Sequence, residues 1–214
     1  CNPIGLIYPA TSCATMFEDR DLTCLAQHRV AELGIARTFQ NIELFEHATV
    51  LNNLLIGRHR HRSTSLWEEV LFTGSVRRAE IAQREAVEKV IDLLDLAHYR
   101  DSMVAGLPYG VRKVIELGRA LAAEPKLLLL DEPSSGLNPE ETDEMAFWID
   151  DIKKGLGVTV LEAETARDVV WRVPVGLLDP REGKVVAEGT PAVVQSHPAG
   201  IEAYLGGDVV RNSA

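Results

Sequence analysis

Two adjacent carboxylates, Asp131 and Glu132, directly follow an uninterrupted run of four leucines at residues 127–130. Such a run predicts a strand that is buried on both faces, as in a parallel sheet covered by helices. Ligands of open α/β sheets bind at the edge where strands end, which is where this pair must lie. Paired acids there suit phosphoryl chemistry, with Asp131 holding Mg²⁺ and Glu132 orienting or deprotonating water. A bare Asp-Glu pair is more often an acidic turn without a function, but the leucine run, Pro133 and the Gly-Leu-Asn-Pro at residues 136–139 favour the functional interpretation.

The composition limits the possible classes of protein. With 214 residues, 46% hydrophobic and 25% charged, the chain has room for one large globular domain or a core with an inserted subdomain. No apolar run approaches the ~20 residues that a membrane-spanning helix needs. A formal charge of −10 argues against a nucleic-acid partner, because no basic surplus can neutralise phosphates. Three cysteines without C-x-x-C spacing argue against a metal centre or disulfide framework and favour a reduced, cytosolic compartment.

Helices are predicted on the amino-terminal side of the leucine strand, between about residues 41 and 124. Thr49 can cap a helix that runs to Ile56. A long amphipathic helix is predicted at about residues 77–96. The basic segment Arg58–Arg62 between them is expected to be a solvated turn, since His-x-His without a nearby Cys or acid is a poor metal site.

The run Leu107-Pro108-Tyr109-Gly110-Val111 is predicted to open the next helix. A glycine at a helix amino terminus leaves free N–H groups and the positive end of the helix dipole facing outward, which suits a phosphate. A turn followed by an amphipathic helix without a ligand is the alternative for this run alone. The helix is expected to present its polar face through four residues: Arg112, Lys113, Glu116 and Arg119.

The segment after the carboxylates is predicted to start another helix. Asn138 serves as its cap, Pro139 as its first residue and Glu141 as the partner in a capping box. A strand at residues 158–161 follows, and then a hairpin of residues 175–178 and 184–187.

Four runs of the chain resemble the sequence motifs of ATP-binding cassette (ABC) ATPases. Residues 127–139 are similar to the Walker B motif and D-loop, and the Leu-Pro-Tyr-Gly run to the ABC signature. Gly34-Ile35-Ala36-Arg37-Thr38-Phe39-Gln40-Asn41 looks like the Q-loop of ABC ATPases that serve branched-chain amino acid uptake. Residues 201–206 resemble the carboxyl-terminal tail of the same transporters. The resemblance covers nearly the whole chain except the amino-terminal portion of the family.

The resemblance implies an α/β P-loop NTPase core of the ABC type, with a parallel-rich sheet, that binds ATP and Mg²⁺. The core would comprise residues 1–40 and 125–214, and residues 41–124 would be an inserted helical subdomain ending in the signature helix. By match to the family, Asp131 and Gln40 are Mg²⁺ contacts, Glu132 is the base, and Gln40 also senses the lytic water. Leu107, Pro108, Tyr109, Gly110 and Val111 form the signature that faces a partner's ATP, and Asn138 belongs to the D-loop.

The resemblance also implies partners and a location. Family members work as homo- or heterodimers, with each ATP between one chain's Walker loops and the other's signature. The Q-loop contacts integral membrane permease subunits, so the chain would lie in the cytoplasm, peripheral to the inner face of the cell membrane. The expected cargo is branched-chain or related amino acids.

The absence of a phosphate-binding loop and of the family's switch histidine favours an alternative, a catalytically silent half with a structural or regulatory role, whereas the retained Asp131–Glu132 pair favours the enzyme. No G-x-x-x-x-G-K-S/T motif (Walker A) occurs in the 214 residues, and the match begins at Asn2, just after the expected position. Truncation of a longer gene is the simplest account, and we expect it to remove the strand beside residues 127–130. The family's switch histidine is Thr165 here, and Val111 replaces a polar signature residue. An ABC-type ATPase that acts on nucleic acid is a weaker alternative, which the charge disfavours.

Overall fold

The computed structural model describes residues 16–22, 25–38, 42–61, 74–163, 177–179 and 184–187. They belong to two compact units, residues 1–163 and residues 164–214. Gln40, Thr165 and the predicted tail at residues 201–206 lie outside the described residues. The division into a core (1–40 and 125–214) and a helical insertion (41–124) stays a prediction.

The first unit alternates short strands with five helices in its described part. Its strands are β1 (Met16–Phe17), β2 (Arg20–Asp21), β3 (Ile35–Arg37), β4 (Leu127–Asp131) and β5 (Thr159–Ala163). Its helices are α1 (Gln27–Glu32), α2 (Val50–Gly57), α3 (Gly74–Leu93), α4 (Tyr109–Ala122) and α5 (Pro139–Gly155). Single 3₁₀ turns lie at Arg58–His61, Ala97–Tyr99 and Val104–Gly106.

Strand β4 lies in the middle of a three-stranded parallel sheet of order β3-β4-β5. Leu128 and Leu129 are 0% exposed and Leu130 is 1% exposed, so the predicted strand with two buried faces is confirmed. The expectation that a strand is missing beside residues 127–130 is wrong, because β4 pairs with β3 on one side and with β5 on the other.

The leucines of β4 divide between two apolar clusters because successive side chains of a strand point to opposite faces. Leu128 and Leu130 pack into the larger cluster, which α2 to α5 cover. Leu129 packs on the opposite face with Leu22, Val30 and Ile35. Complete burial of each leucine side chain contributes about 1.5–3 kcal/mol to stability. This two-sided packing holds the carboxyl end of β4, and with it Asp131, in place.

The helices between β3 and β4 follow the predicted pattern with shifted ends. Thr49 caps α2, since its Oγ1 accepts a hydrogen bond from the backbone N–H of Asn52 at 3.2 Å. Helix α3 covers residues 74–93 instead of 77–96, and Asp95 just after it has a φ of +51°. The chain therefore changes direction where the last turn of the helix was predicted. The apolar stripe with Val87 and Ile91 is buried as expected.

The expectation that Arg58–Arg62 is a solvated turn is wrong for its first residue, and Arg62 lies outside the described residues. Arg58 is 7% exposed, and its Nη1 donates to the carbonyl of Ala122 at 3.0 Å and lies 2.8 Å from a Glu124 carboxylate oxygen. Its guanidinium thus satisfies acceptors at the carboxyl end of α4, where carbonyl groups lack helical partners. The neighbouring His59 is exposed, as expected.

Helices α2 and α4 approach each other closely at Gly57. A Cβ atom at this position would overlap the backbone carbonyl oxygen of Arg119, so glycine alone fits without moving a helix. The close approach brings backbone against backbone and fixes α2 against the helix that carries the signature run.

The predicted hairpin of the second unit is confirmed, with β6 at Leu177–Asp179 pairing antiparallel with β7 at Lys184–Ala187. In the described part of the chain, no helix combines the length and the apolar character that crossing a membrane requires.

Candidate functional site

The two carboxylates lie where β4 ends, at one edge of the parallel sheet. Asp131 is the last residue of the strand, and Glu132 is the first residue of the turn that follows. Both are partly buried. Glu132 has a φ of +49°, a left-handed conformation that costs a non-glycine residue roughly 1–3 kcal/mol. Its carbonyl accepts a hydrogen bond from the backbone N–H of Ser135 at 3.1 Å, which closes the turn.

Asp131 is held by the end of the neighbouring strand. Its Oδ2 lies 2.7 Å from Nη2 of Arg37, with the two side chains 25% and 12% exposed. Beside this pair, Thr38 donates its N–H to the carbonyl of Leu129 at 2.9 Å. The hydroxyl of Thr38 accepts from the N–H of Asp131 at 3.4 Å. The resemblance assigns no role to Arg37. A positively charged residue in a short, otherwise apolar strand is the sequence signal that could have indicated a buried ion pair.

The signature run forms the start of α4, as predicted. Pro108 precedes the helix without a side-chain cap, and Tyr109 is its first residue. The Tyr109 hydroxyl donates to the carbonyl of Ser135 at 3.4 Å, across the turn that follows β4. Leu107 and Val111 pack at the margin of the large apolar cluster. The apolar residue at position 111 thus packs against other apolar side chains.

Lys113 and Glu116 belong to the predicted polar face of α4, but both side chains are buried. Lys113 is 4% exposed and Glu116 is 3% exposed. The Nζ of Lys113 donates to the carbonyl of Glu132 at 3.4 Å. Lys113 is buried because the beginning of α4 lies against the loop after β4. Backbone atoms of that loop, and not water, cover this side of the helix.

The D-loop residue Asn138 sits in a complete capping box at the start of α5, as predicted. Its Oδ1 accepts from the N–H of Glu141 at 2.9 Å, and Glu141 Oε2 accepts from the N–H of Asn138 at 3.0 Å. The same carboxylate lies over the signature, because a Cβ on Gly110 would overlap Oε1 of Glu141. A larger residue at position 110 would therefore displace the end of the Glu141 side chain, which lies between the start of α4 and the start of α5.

The structure brings the start of α4 against the turn that begins at Glu132, and Asp131 precedes this turn at the end of β4. Arg37 contacts Asp131 and Lys113 contacts the turn, although the sequence motifs did not single them out. Gln40 and Thr165 lie outside the described residues, so their predicted roles stay predictions.

Residues 5–135 match the ABC transporter family. This match covers more than half of the 214 residues and includes the signature and both carboxylates. The chain belongs to the ABC transporter family. Residues 184–210 also match a family described as branched-chain amino acid ATP-binding cassette transporter.

Relatives of this ABC protein carry names from the same group of transporters. The chain is 32% identical, over 205 residues, to the high-affinity branched-chain amino acid transport ATP-binding protein BraF of Pseudomonas aeruginosa. It is 31% identical, over 205 residues, to the corresponding protein LivG of Escherichia coli. Both alignments cover 96% of this chain and 80% of the relative. A probable LivG of Archaeoglobus fulgidus is 33% identical over 208 residues.

Solved ABC structures confirm the predicted fold class. A nucleotide-free ATP-binding cassette from an ABC transporter superposes with a TM-score of 0.74 at 28% identity, covering 96% of this chain and 81% of that one. The ADP conformation of an ATP-binding cassette superposes with a TM-score of 0.73 at 28% identity and the same coverage. The α/β architecture with its parallel sheet is that of an ABC ATPase.

The residues at the edge of β4 fit an Mg²⁺ ion that arrives with nucleotide. Asp131 offers one carboxylate, a quarter exposed, and Mg²⁺ in nucleotide sites is commonly bound by one or two carboxylates plus phosphates and water. Within the described residues, no group of three or more His, Cys, Asp or Glu side chains could hold a metal without nucleotide. In this ABC cassette the guanidinium of Arg37 is the cation beside Asp131, so Mg²⁺ would share that carboxylate with it.

Proposed function

We propose that this chain is the ATP-binding subunit of an ABC importer, coupling ATP binding and hydrolysis to the transport of branched-chain or related amino acids. The observation that carries the proposal is the contact at the carboxyl edge of β4. There Tyr109 and Lys113 at the start of α4 contact the turn that begins at Glu132, directly after Asp131. The match of residues 184–210 and the names of the relatives support the choice of solute.

Each site residue has a distinct task in this proposal. Asp131 holds the Mg²⁺ of the bound nucleotide, and Glu132 orients and deprotonates the attacking water. Gln40 reports the state of this site to the transport subunits. Tyr109 and Gly110 present the signature turn to the nucleotide of a second subunit. When bound, Mg²⁺ supplies positive charge to the phosphate oxygens as negative charge develops on them.

The proposed assembly contains a second ABC ATPase subunit and integral membrane permease subunits. The chain would bind the permease from the cytoplasmic side through the segment around Gln40. A formal charge of −10 gives no support for nucleic acid as a partner.

The test is an uptake experiment with a chimera. A segment bearing a G-x-x-x-x-G-K-T loop is fused ahead of residue 1 of the Thr165→His variant, and this chimera is co-expressed with branched-chain amino acid permease subunits in a strain that lacks its own ATP-binding subunits. We expect uptake of radiolabelled leucine, isoleucine or valine that the Asp131→Asn variant of the chimera does not support. A chimera that binds and hydrolyses ATP but transports none of the three would refute the proposed solute class.

A catalytically silent half is the second candidate, and Thr165 at the switch-histidine position is the observation that favours it. In that case the chain would lend its signature to an intact partner subunit. A heterodimer with one intact partner separates the two functions. Mutation of Gly110 would lower the partner's hydrolysis in both cases, whereas Glu132→Gln would lower hydrolysis only if this chain's own site is active.

A further inference from the structure

Two side chains one helical turn apart on α4 both reach the turn that carries Glu132. Tyr109 donates its hydroxyl to the carbonyl of Ser135, and Lys113 donates its ammonium to the carbonyl of Glu132, each at 3.4 Å. Residues four apart lie on one face of a helix. The first turn of the signature helix therefore contacts this turn at both of its ends.

A third contact lies at Gly136. Its φ is +80°, and a Cβ atom there would lie 3.0 Å from Cε1 of the Tyr109 ring. A side chain at position 136 would push the ring away by a few tenths of an ångström. Glycine is also the residue that adopts this φ without strain. The signature tyrosine and the D-loop glycine thus fit each other by shape.

The left-handed backbone of Glu132 needs support from its surroundings. A strained residue persists only where neighbouring contacts hold it. The Glu132 carbonyl accepts from both the Ser135 N–H and the Lys113 ammonium. A buried ammonium in turn needs acceptors to offset its desolvation, so Lys113 and the Glu132 carbonyl stabilise each other.

We propose that Tyr109 and Lys113 are positioning residues that lock Glu132 and the D-loop to the signature turn. A displacement of the signature then displaces the turn that carries the proposed base. The catalytic meaning rests on the proposed function, because in an ABC dimer the signature serves the partner's nucleotide while Glu132 serves the chain's own. The contact would link the two nucleotide sites of the dimer through one chain.

The first experiment tests the contact between Tyr109 and Gly136 in the 214-residue chain without nucleotide or partner. The chain is labelled with 3-fluorotyrosine, and the ¹⁹F resonance of Tyr109 is identified by its loss in Tyr109→Phe. We expect Gly136→Ala to shift this resonance and leave that of Tyr99 in place. Gly157→Ala is the matched control, since Gly157 has a φ of +64° but nothing within 4 Å of its Cβ position.

The second experiment measures hydrogen exchange at the amides of Ser135 and Leu137, which close the turn. We expect Lys113→Met to speed exchange at both amides roughly tenfold relative to the amides of β4, the size expected for one lost hydrogen bond. Lys154→Met is the control, because Lys154 is exposed and pairs only with Asp150 among the described residues.

An unchanged Tyr109 resonance in Gly136→Ala would overturn the proposal. The proposal would also be overturned if the exchange rates of Ser135 and Leu137 in Lys113→Met rose only as much as those of the β4 amides. Such a uniform rise indicates a global loss of stability. Both measurements are made without ATP, permease or transport. Failure of the uptake experiment would therefore leave this contact standing, and failure here would leave the assignment as a transport ATPase standing.

Discussion

The guanidinium of Arg37 lies 2.7 Å from the carboxylate of Asp131 and joins the end of β3 to the end of β4. The two strands run parallel, with Arg37 opposite Leu129, so the side chain reaches two residues along β4 to make this contact. The carboxylate proposed to hold Mg²⁺ is consequently compensated by a positive charge when no metal is bound. Arg37 belongs to the run that resembles the Q-loop, so the ion pair joins that run to the proposed metal ligand.

Removing this cation should destabilise the chain. Arg37→Gln leaves the partly buried carboxylate without its charged partner, and we expect the free energy of unfolding to fall by about 1–3 kcal/mol. Urea denaturation followed by circular dichroism measures the change. Lys154→Gln breaks an exposed ion pair with Asp150 and should change stability by less than about 0.5 kcal/mol. Equal effects of the two substitutions would show that the Arg37 pair contributes no more than a surface contact.

Asn53 should be among the polar residues that stability depends on most. It is 0% exposed, and its amide exchanges hydrogen bonds with the N–H and the carbonyl of Phe45 at 2.9 and 3.0 Å. It also donates to the carbonyl of Thr49 at 3.0 Å. Asn53→Ala leaves these groups without their partner and should cost about 2–4 kcal/mol. The neighbouring Asn52 is exposed, and Asn52→Ala in the same assay should stay within about 0.5 kcal/mol.

The pair of Glu88 and Arg100 predicts a pH dependence at acid pH. The hydrogen bond from Arg100 lowers the pKa of Glu88 in the folded chain, and burial opposes this only in part. A depressed carboxyl pKa gives stability that is fully present above the unfolded-state pKa and is lost as pH falls through the folded-state pKa. The stability difference between the wild type and Glu88→Gln should therefore be constant near neutral pH and shrink in acid. Denaturant titrations from pH 7 downward would contradict this if the difference stayed constant throughout.

The 214-residue chain alone should hydrolyse ATP no faster than buffer does. Phosphoryl transfer depends on positioned cations and donors around the transferred phosphate more than on a base. Loss of one such donor typically lowers the rate by about 10²–10³. These residues contain no G-x-x-x-x-G-K-S/T loop and have threonine at position 165. Glu132→Gln should then change nothing measurable in a phosphate-release assay.

Nucleotide binding and hydrolysis should be restored in a defined order. An upstream G-x-x-x-x-G-K-T segment should first restore tight nucleotide binding, and Thr165→His should then raise turnover. Only in that background should Glu132→Gln abolish hydrolysis. Magnesium-dependent hydrolysis by the unmodified chain that Glu132→Gln removes would contradict this expectation directly.

Features governed by near neighbours in sequence could be predicted from the residues alone. The capping box of Asn138 and Glu141 forms as expected because both partners lie within one helical turn. The two-sided burial of β4 follows from its unbroken leucines. The buried stripe of α3 has the predicted periodicity, but the helix ends earlier than predicted. Asp95 turns the chain through a left-handed conformation that the local sequence does not indicate.

Contacts between distant segments were beyond what sequence pattern could predict. Lys113 and Arg58 look like surface cations, yet each is buried against backbone carbonyls contributed by another element. Tyr109 and Gly136 are 27 positions apart in the chain, and only the packing of α4 against the turn after β4 brings them together. Such burial depends on which acceptors the fold leaves open, and helical periodicity carries no information about that.

At position 132, the residue that the backbone conformation favours differs from the residue that the proposed chemistry needs. A glutamate with a φ of +49° stores backbone strain that glycine would relieve and asparagine would reduce. A library of substitutions at this position, sorted for thermal stability alone, should become enriched in glycine and asparagine. The same library sorted for hydrolysis in a chimera competent for turnover should return glutamate. The difference in residue frequencies at position 132 between the two sorted populations would measure how far glutamate departs from the residue that the backbone alone favours.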